Sequence, residues 1–518
     1  MTKQDRRPQF VFIFLSTLAA VWIAFVWAFR FLPMEDYANW LCASRVFSQA
    51  LHGNTVPGFS LASWPVPNSA FVGLTGLFSL FASPYVAGKL YLSITIAIYC
   101  AGSYLLLGAF TSRRDSALLM VPMLYVFHKG MWTGELSYSL GLGVFLLSAA
   151  YALRARRPSP LAIALLSLVL FFCHAIPFIC WSILLCALAL FDPDRFPRLR
   201  TAIAYSPALG HFLLYALHRN GHHAARTGLN ILGVLRMTPR SAASLFSPLH
   251  FFAPFFDTDP QWLKSSALLF NVSAILCVLA VIAFGVWKMF ASFRSESGSE
   301  RAVQAAALVL LLFFAVVPFE AFTGVPDFNY RFLLPAFLLM AATVVPVLST
   351  GWIMRTATVV VVVAVAVFYF GSVARVSRLS SQVYAQMAQA NLNPDFRDIT
   401  GNDFEPLAPS CVPKSKLLPV HDALFTFADY IRLENQWPGR IFETSFVLPS
   451  TNYPSLLRNR DPRTVWPREI VLVGKQALNR LIVPMLPPRY RVVSDTDYVL
   501  VLKAGQMPAT TTAAAPSK

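Results

Sequence analysis

Residues 8–40 read PQFVFIFLSTLAAVWIAFVWAFRFLPMEDYANW, about 22 almost uninterrupted apolar residues followed by two adjacent carboxylates, Glu35 and Asp36. A run of that length crosses a hydrocarbon layer of ~30 Å. Three cations, Lys3, Arg6 and Arg7, precede it, and no small-x-small cleavage site follows, so it reads as an uncleaved anchor rather than a signal peptide. The question it sets is why acidic side chains stand where a membrane span ends.

Similar runs recur along the whole chain. Candidate spans fall at 9–30, 86–110, 116–132, 135–153, 160–173, 175–190, 201–217, 263–288, 302–319, 331–349 and 354–372. Within 160–190, His174 and Pro177 mark either a tight turn or a kink in one long helix. The stretch 66–83, VPNSAFVGLTGLFSLFAS, reads as a re-entrant or interfacial segment. The totals agree: 56% of the 518 residues are hydrophobic and only 13% are charged, against about 25% in a soluble chain. The fold class is therefore an α-helical polytopic membrane protein with about eleven transmembrane helices.

A net charge of +17 would suit a nucleic-acid binder. Its distribution argues otherwise. Arg113/Arg114, Arg154/Arg156/Arg157, Arg195/Arg198/Arg200, Lys288/Arg294/Arg301 and Arg355 all fall on the side of the N-terminus under this threading, as short cytoplasmic loops require. Treating 66–83 as a full span would throw Arg113 and Arg114 across the membrane. Much of the surplus charge is therefore a topology signal, although Lys89, Arg219, Arg226, Arg236 and Arg240 remain outside, and no nucleic-acid partner is needed to explain it. The expected arrangement is a bacterial-type inner membrane protein with a cytoplasmic N-terminus and an extracytoplasmic C-terminus. The outer loop 218–262 mixes Arg and His with an amphipathic apolar pattern, as a helix lying in the interface does.

After residue 372 the composition changes. Pro, Asn and Asp crowd 391–420, HDALFTFADYIRLENQ reads as an amphipathic helix, and RYRVVSDTDYVLVLKAG reads as two strands joined around Asp495. The expected domains are thus a membrane domain over 1–372, a small α/β extracytoplasmic domain over 373–505 and a disordered tail over 506–518. Of seven cysteines, Cys42 and Cys411 lie outside the apolar runs and would both meet an oxidising compartment. They form a candidate disulfide.

Under this threading the polar residues at span ends gather on one side. The first outer loop carries Glu35, Asp36, Tyr37, Arg45, His52, Trp64 and Asn68; FHKGMWTGELSY carries His128, Lys129, Trp132, Glu135 and Tyr138. His174 tops the fifth and sixth spans, and Glu320, Asp327, Asn329, Tyr330 and Arg331 close the set. Ionisable groups near membrane depth are costly and are functional candidates by default. Their plain alternatives are snorkelling arginines, aromatic-belt residues and satisfied core histidines.

Three stretches, MEDYANWLCASRVFSQALHG (34–53), WPVPNSAFVGLTGLF (64–78) and DFNYRFLLPAFLLM (327–340), resemble the GT-C superfamily of glycosyltransferases. These enzymes use polyprenyl-phosphate-linked sugars, and the likeness in layout covers roughly 1–372. The resemblance implies a catalytic base or metal-linked carboxylate in the first outer loop, a role that falls on Asp36 and secondarily on Glu35. It implies a lipid-phosphate ligand near a late span, which falls on Arg331; the polar span-end residues Tyr330, His128, Lys129, Glu135 and His174 are further substrate-binding candidates. A divalent cation is a candidate cofactor. The expected partners are a polyprenyl-phosphate sugar donor, a lipid or glycan acceptor and membrane lipids. Many members carry Asp-Glu where this chain has Glu-Asp-Tyr, and the WWDYG signature of oligosaccharyltransferases is absent.

The chemistry suits those residue types. Polyprenyl phosphate is a good leaving group, so the work left is to take a hydroxyl proton and steady phosphate charge. A carboxylate does the first and a guanidinium fork the second. Both belong where the lipid headgroup lies, at a span's end. Two other functions remain open on the sequence, a membrane transporter and a polymerase or ligase of lipid-linked glycans.

Overall fold

The structure is a computed structural model. It describes residues 8–29, 32, 34, 37–54, 67–110, 122, 125–132, 134–219, 276, 278–291, 296–316, 330–344, 352, 356–364, 366–367, 370–371, 374, 385–386, 440–443, 469–473, 483–485, 488–497 and 499–504. The chain divides into two compact units, Met1–Met34 with Leu61–Ala374, and Glu35–Ser60 with Arg375–Lys518.

In the first unit the described helices are α1 (Pro8–Ala28), α3 (Ala70–Phe78), α4 (Pro84–Leu107), α5 (Lys129–Trp132), α6 (Leu136–Arg154), α7 (Pro160–Cys173), α8 (Ala175–Phe191) and α9 (Arg198–Arg219). They continue with α10 (Val278–Ala291), α11 (Gly298–Val316) and α12 (Tyr330–Val344), and a helical run over 356–364. The second unit contributes α2 (Tyr37–Leu51). Of these, α4, α6 and α11 are long and apolar enough to cross a membrane, and α1, α7, α8, α10 and α12 are shorter apolar helices. The protein is membrane-embedded.

The helix starts follow local chemistry. Ser83 caps α4, its Oγ accepting from the Val86 N–H at 3.4 Å, with Pro84 in the first turn, where a missing N–H costs nothing. His174 leaves the helical conformation (φ −169°, ψ 143°), ends α7, and caps α8 by accepting from the Ile176 N–H at 3.1 Å. The 160–190 stretch is therefore two helices. Trp181 on α8 donates to Ser167 Oγ on α7 at 2.8 Å and ties the pair together.

Packing between helices in lipid relies on close approach of small residues, since the tails are as apolar as leucine. Helix α6 is buried nearly all round and shows this on two sides. A Cβ on Gly143 would stand 3.0 Å from the Tyr99 nitrogen of α4, and one on Gly102 of α4 would stand 2.9 Å from the Gly143 carbonyl oxygen. A Cβ on Gly141 would stand 2.9 Å from Pro177 Cγ of α8. On α1, Trp22 stacks on Phe370 at 5.4 Å and meets Phe127 edge-on at 4.7 Å.

Two of the described helices contain a proline beyond the first turn, which removes a backbone donor and leaves the carbonyl four residues earlier without its helical partner. Each receives a side-chain replacement. In α9, Pro207 withdraws the donor from Ile203, and Ser206 Oγ donates to that carbonyl at 2.9 Å. In α12, Pro335 withdraws it from Arg331, and Tyr138 Oη on α6 donates at 2.9 Å.

In the described part of segment 66–83, α3 is too short to span. Asn68, at φ +68°, hands its carbonyl to Ser137 Oγ at 3.2 Å, and Ser137 Oγ accepts from the Phe71 N–H at 3.1 Å, so α3 begins at the head of α6. Beyond it, Tyr91 near the start of α4 donates to the Leu136 carbonyl at 3.0 Å, at that same head. Nine residues of α3 rise only about 14 Å, half a hydrocarbon layer. The expected span 116–132 needs a correction in its described part: residues 126–127 turn, and 129–132 make a single turn of helix. Gly130 and Gly134 there support a tight turn rather than a continuing helix.

The far end of α6 carries a second polar network. Arg195 donates to the Ala152, Leu153 and Ala155 carbonyls at 2.8, 3.1 and 2.6 Å, and to Ser299 Oγ at 2.6 Å and Asp192 at 3.1 Å. Lys288 donates to the Thr343 carbonyl at 2.8 Å and pairs with Glu296 at 3.3 Å and Glu300 at 3.5 Å. The 19 residues of α6 separate this basic network from the one around Glu135 by about 28 Å, the thickness of the hydrocarbon.

In the second unit, α2 buries Tyr37, Leu41, Ser44 and Ser48, one face of a helix. The strands β1 (Arg440–Glu443), β2 (Glu469–Val473), β3 (Tyr490–Asp495) and β4 (Val499–Ala504) form an antiparallel sheet in the order β1-β2-β4-β3. The expected hairpin is there, with β3 ending at Asp495 and a bulge between Val492 and Ser494. Leu500 and Leu502, two apart on β4, turn the same way and are buried. The helix expected over 421–436, residue Cys411 and the side chain of Cys42 lie outside the described residues.

Candidate active site

The site begins with a turn. Gly134 holds φ +83°, a left-handed value open to glycine. It lets the Glu135 N–H return to the Gly130 carbonyl at 2.7 Å, which aims the Glu135 side chain back over α5. Gly130 makes room for it: a Cβ there would stand 3.1 Å from Glu135 Oε2, 2.9 Å from His128 Cε1 and 3.1 Å from His128 Nδ1.

From the other side comes the head of α12. Arg331 is 7% exposed and Tyr330 2%. Arg331 Nη2 donates to Glu135 Oε1 and Tyr330 Oη donates to Glu135 Oε2, so one carboxylate serves a guanidinium and a phenol. Tyr138, in the first turn of α6, fixes the Arg331 backbone through the carbonyl that Pro335 leaves open. Its ring lies edge-on to His128 at 5.6 Å and to His174 at 5.6 Å. His174 has its Nδ1 engaged by the Ile176 N–H. His128 is buried, and its Nδ1 has no hydrogen-bond partner among the described residues.

The structure thus brings together five expected residues, Glu135, His128, His174, Tyr330 and Arg331. The side chains of Lys129 and Trp132 lie outside the described residues, as do Glu35, Asp36, Trp64, Glu320, Asp327 and Asn329. Asn68 is exposed beside α3. Tyr37, Arg45 and His52 belong to the second unit, where the His52 ring hydrogen-bonds the Ser48 carbonyl at 2.8 Å. Sequence reasoning noted Tyr138 only as a polar residue near a span end, and it passed over Gly130. The signal for Gly130 is its place between a histidine and a glutamate in a short loop.

Among the described residues no three His, Cys, Asp or Glu side chains converge as metal ligands. The carboxylates expected to act with a metal, Glu35 and Asp36, lie outside those residues. What the described cluster offers is a buried, rigidly backed guanidinium with a hydroxyl beside it, a seat for an oxyanion.

No family model matches the chain, and no curated protein does. Among solved structures the chain is similar to the crystal structure of ArnT from Cupriavidus metallidurans bound to undecaprenyl phosphate. That similarity covers 95% of this chain and 98% of the other, with 13% identical residues and a TM-score of 0.41.

Proposed function

We propose that the chain is a membrane glycosyltransferase of the GT-C type. It transfers a sugar from a polyprenyl-phosphate-linked donor to a lipid or glycan acceptor on the extracytoplasmic side. The observation that carries this reading is the Arg331–Glu135–Tyr330 cluster, buried at one end of α6 while Arg195 and Lys288 occupy the other. Basic ends tend to face the cytoplasm, which supports an outward-facing Arg331 end.

In this reading an acceptor hydroxyl oxygen attacks the anomeric carbon of the donor. Asp36, or secondarily Glu35, takes the hydroxyl proton. The bond from the anomeric carbon to the phosphate oxygen breaks, and its electron pair leaves with polyprenyl phosphate. Arg331 steadies the charge that gathers on that phosphate, and Tyr138 fixes the Arg331 backbone beforehand, so little reorganisation is needed as charge develops.

The test is direct. Purified protein in lipid, given polyprenyl-phosphate-linked sugars, should release polyprenyl phosphate in step with glycosylated acceptor. Protein that releases none from any such donor, yet moves a solute across vesicles, would be a transporter instead.

A further inference from the structure

A buried guanidinium needs a counter-charge before any substrate arrives. In this chain Glu135 supplies it, on the same nitrogen fork that would meet a phosphate. The carboxylate also has somewhere to go. The point a Gly130 Cβ would occupy lies 3.1 Å from Glu135 Oε2 and 3.1 Å from His128 Nδ1. Between the carboxylate and that ring nitrogen stands a residue with no side chain to obstruct a rotation. His128 Nδ1 is buried and has no hydrogen-bond partner among the described residues.

We infer that Glu135 is a displaceable stand-in for phosphate. It rests on Arg331 in the unoccupied protein and turns across Gly130 onto His128 Nδ1 when the phosphate of a polyprenyl carrier takes the guanidinium. His128 then carries its proton on Nδ1 and donates to the carboxylate. The exchange keeps Arg331 neutralised throughout and makes Glu135 a positioning residue that tunes donor affinity. This inference rests on the reading that Arg331 holds a lipid phosphate.

Polyprenyl phosphate binding, measured on full-length protein in nanodiscs, tests it. Glu135→Gln keeps the size and removes the competing charge, so it should bind polyprenyl phosphate roughly tenfold more tightly than wild type. Inorganic phosphate in the same assay should compete only weakly, lacking the apolar chain. Competition at parity would make free phosphate the occupant and overturn the lipid assignment. In wild type the 15N resonance of His128 Nδ1, assigned by its loss in His128→Gln, should shift as polyprenyl phosphate is added. A folded Glu135→Gln protein that binds no more tightly, or a His128 resonance unmoved at saturation, overturns the displacement. If Arg331→Lys weakens binding while Glu135→Gln leaves it unchanged, only the displacement falls. If Arg331→Lys changes nothing, the phosphate reading of Arg331 falls with it.

Discussion

Tyr138 Oη donates to the Arg331 carbonyl at 2.9 Å across 193 positions of sequence, and it fills the place of the backbone donor that Pro335 removes. One phenol thereby mends a broken helix and fixes the backbone of the residue at the centre of the site. Tyr138→Phe leaves that buried carbonyl unsatisfied and should cost about 1–3 kcal/mol. Pro335→Ala restores the helical N–H. In that background Tyr138→Phe should cost less than ~0.5 kcal/mol, so the two changes couple. Unfolding of the four proteins in detergent measures the cycle, and additive costs would contradict this role for Tyr138.

Arg331→Lys keeps the charge and loses the planar fork. Its effect should fall on donor binding, with KM for the donor raised by about tenfold or more and kcat changed less. Steady-state kinetics with varied donor separates the two. A lowered kcat with unchanged KM would mean that Arg331 does not hold the donor in the ground state.

Much of the fold was legible because it follows from local rules. His174 and Pro177 marked a break in 160–190, and the break is a capped helix start. The alternation around Asp495 became a hairpin. Glu135, His128, His174, Tyr330 and Arg331 could be picked out as polar groups at span ends. Their partnerships could not. Glu135 and Arg331 lie 196 positions apart, and only the packing of α12 against α11, α4 and α8 brings them together. That pairing changes the weight of Glu135, which sequence reasoning ranked below Asp36. The basic cluster with Arg195 was read as a topology signal, yet its side chain also satisfies the last carbonyls of α6. A charge count carries no information about that.

The α4–α6 contact makes a packing prediction. A side chain at Gly143 must enter backbone, with the Tyr99 nitrogen 3.0 Å and its Cα 3.2 Å from a new Cβ. Gly143→Leu should destabilise by at least the ~1–3 kcal/mol of an overpacked core, or prevent assembly. Gly73 on α3 has nothing within 4 Å of the same point, so Gly73→Ala should be neutral or slightly stabilising. Thermal stability in detergent compares them. Equal tolerance at both positions would contradict the close approach of α4 and α6.

Arg195 should separate stability from function. Arg195→Ala removes a charged donor to three carbonyls, Ser299 and Asp192, at a cost of about 1.5–3 kcal/mol. It lies at the end of α6 remote from Arg331, so KM for the donor should stay within about twofold once the protein is folded. A large shift in KM would place the donor at the wrong end of the bundle.

The catalytic carboxylate is tested most directly by sugar transfer from a polyprenyl-phosphate donor, comparing wild type with Asp36→Asn. The substitution keeps the shape of the side chain and removes its ability to accept a proton. Transfer should fall by roughly two to four orders of magnitude, with donor binding in nanodiscs retained. Near-normal transfer by Asp36→Asn, with transfer abolished by Glu135→Gln, would contradict the assignment and move the base to Glu135.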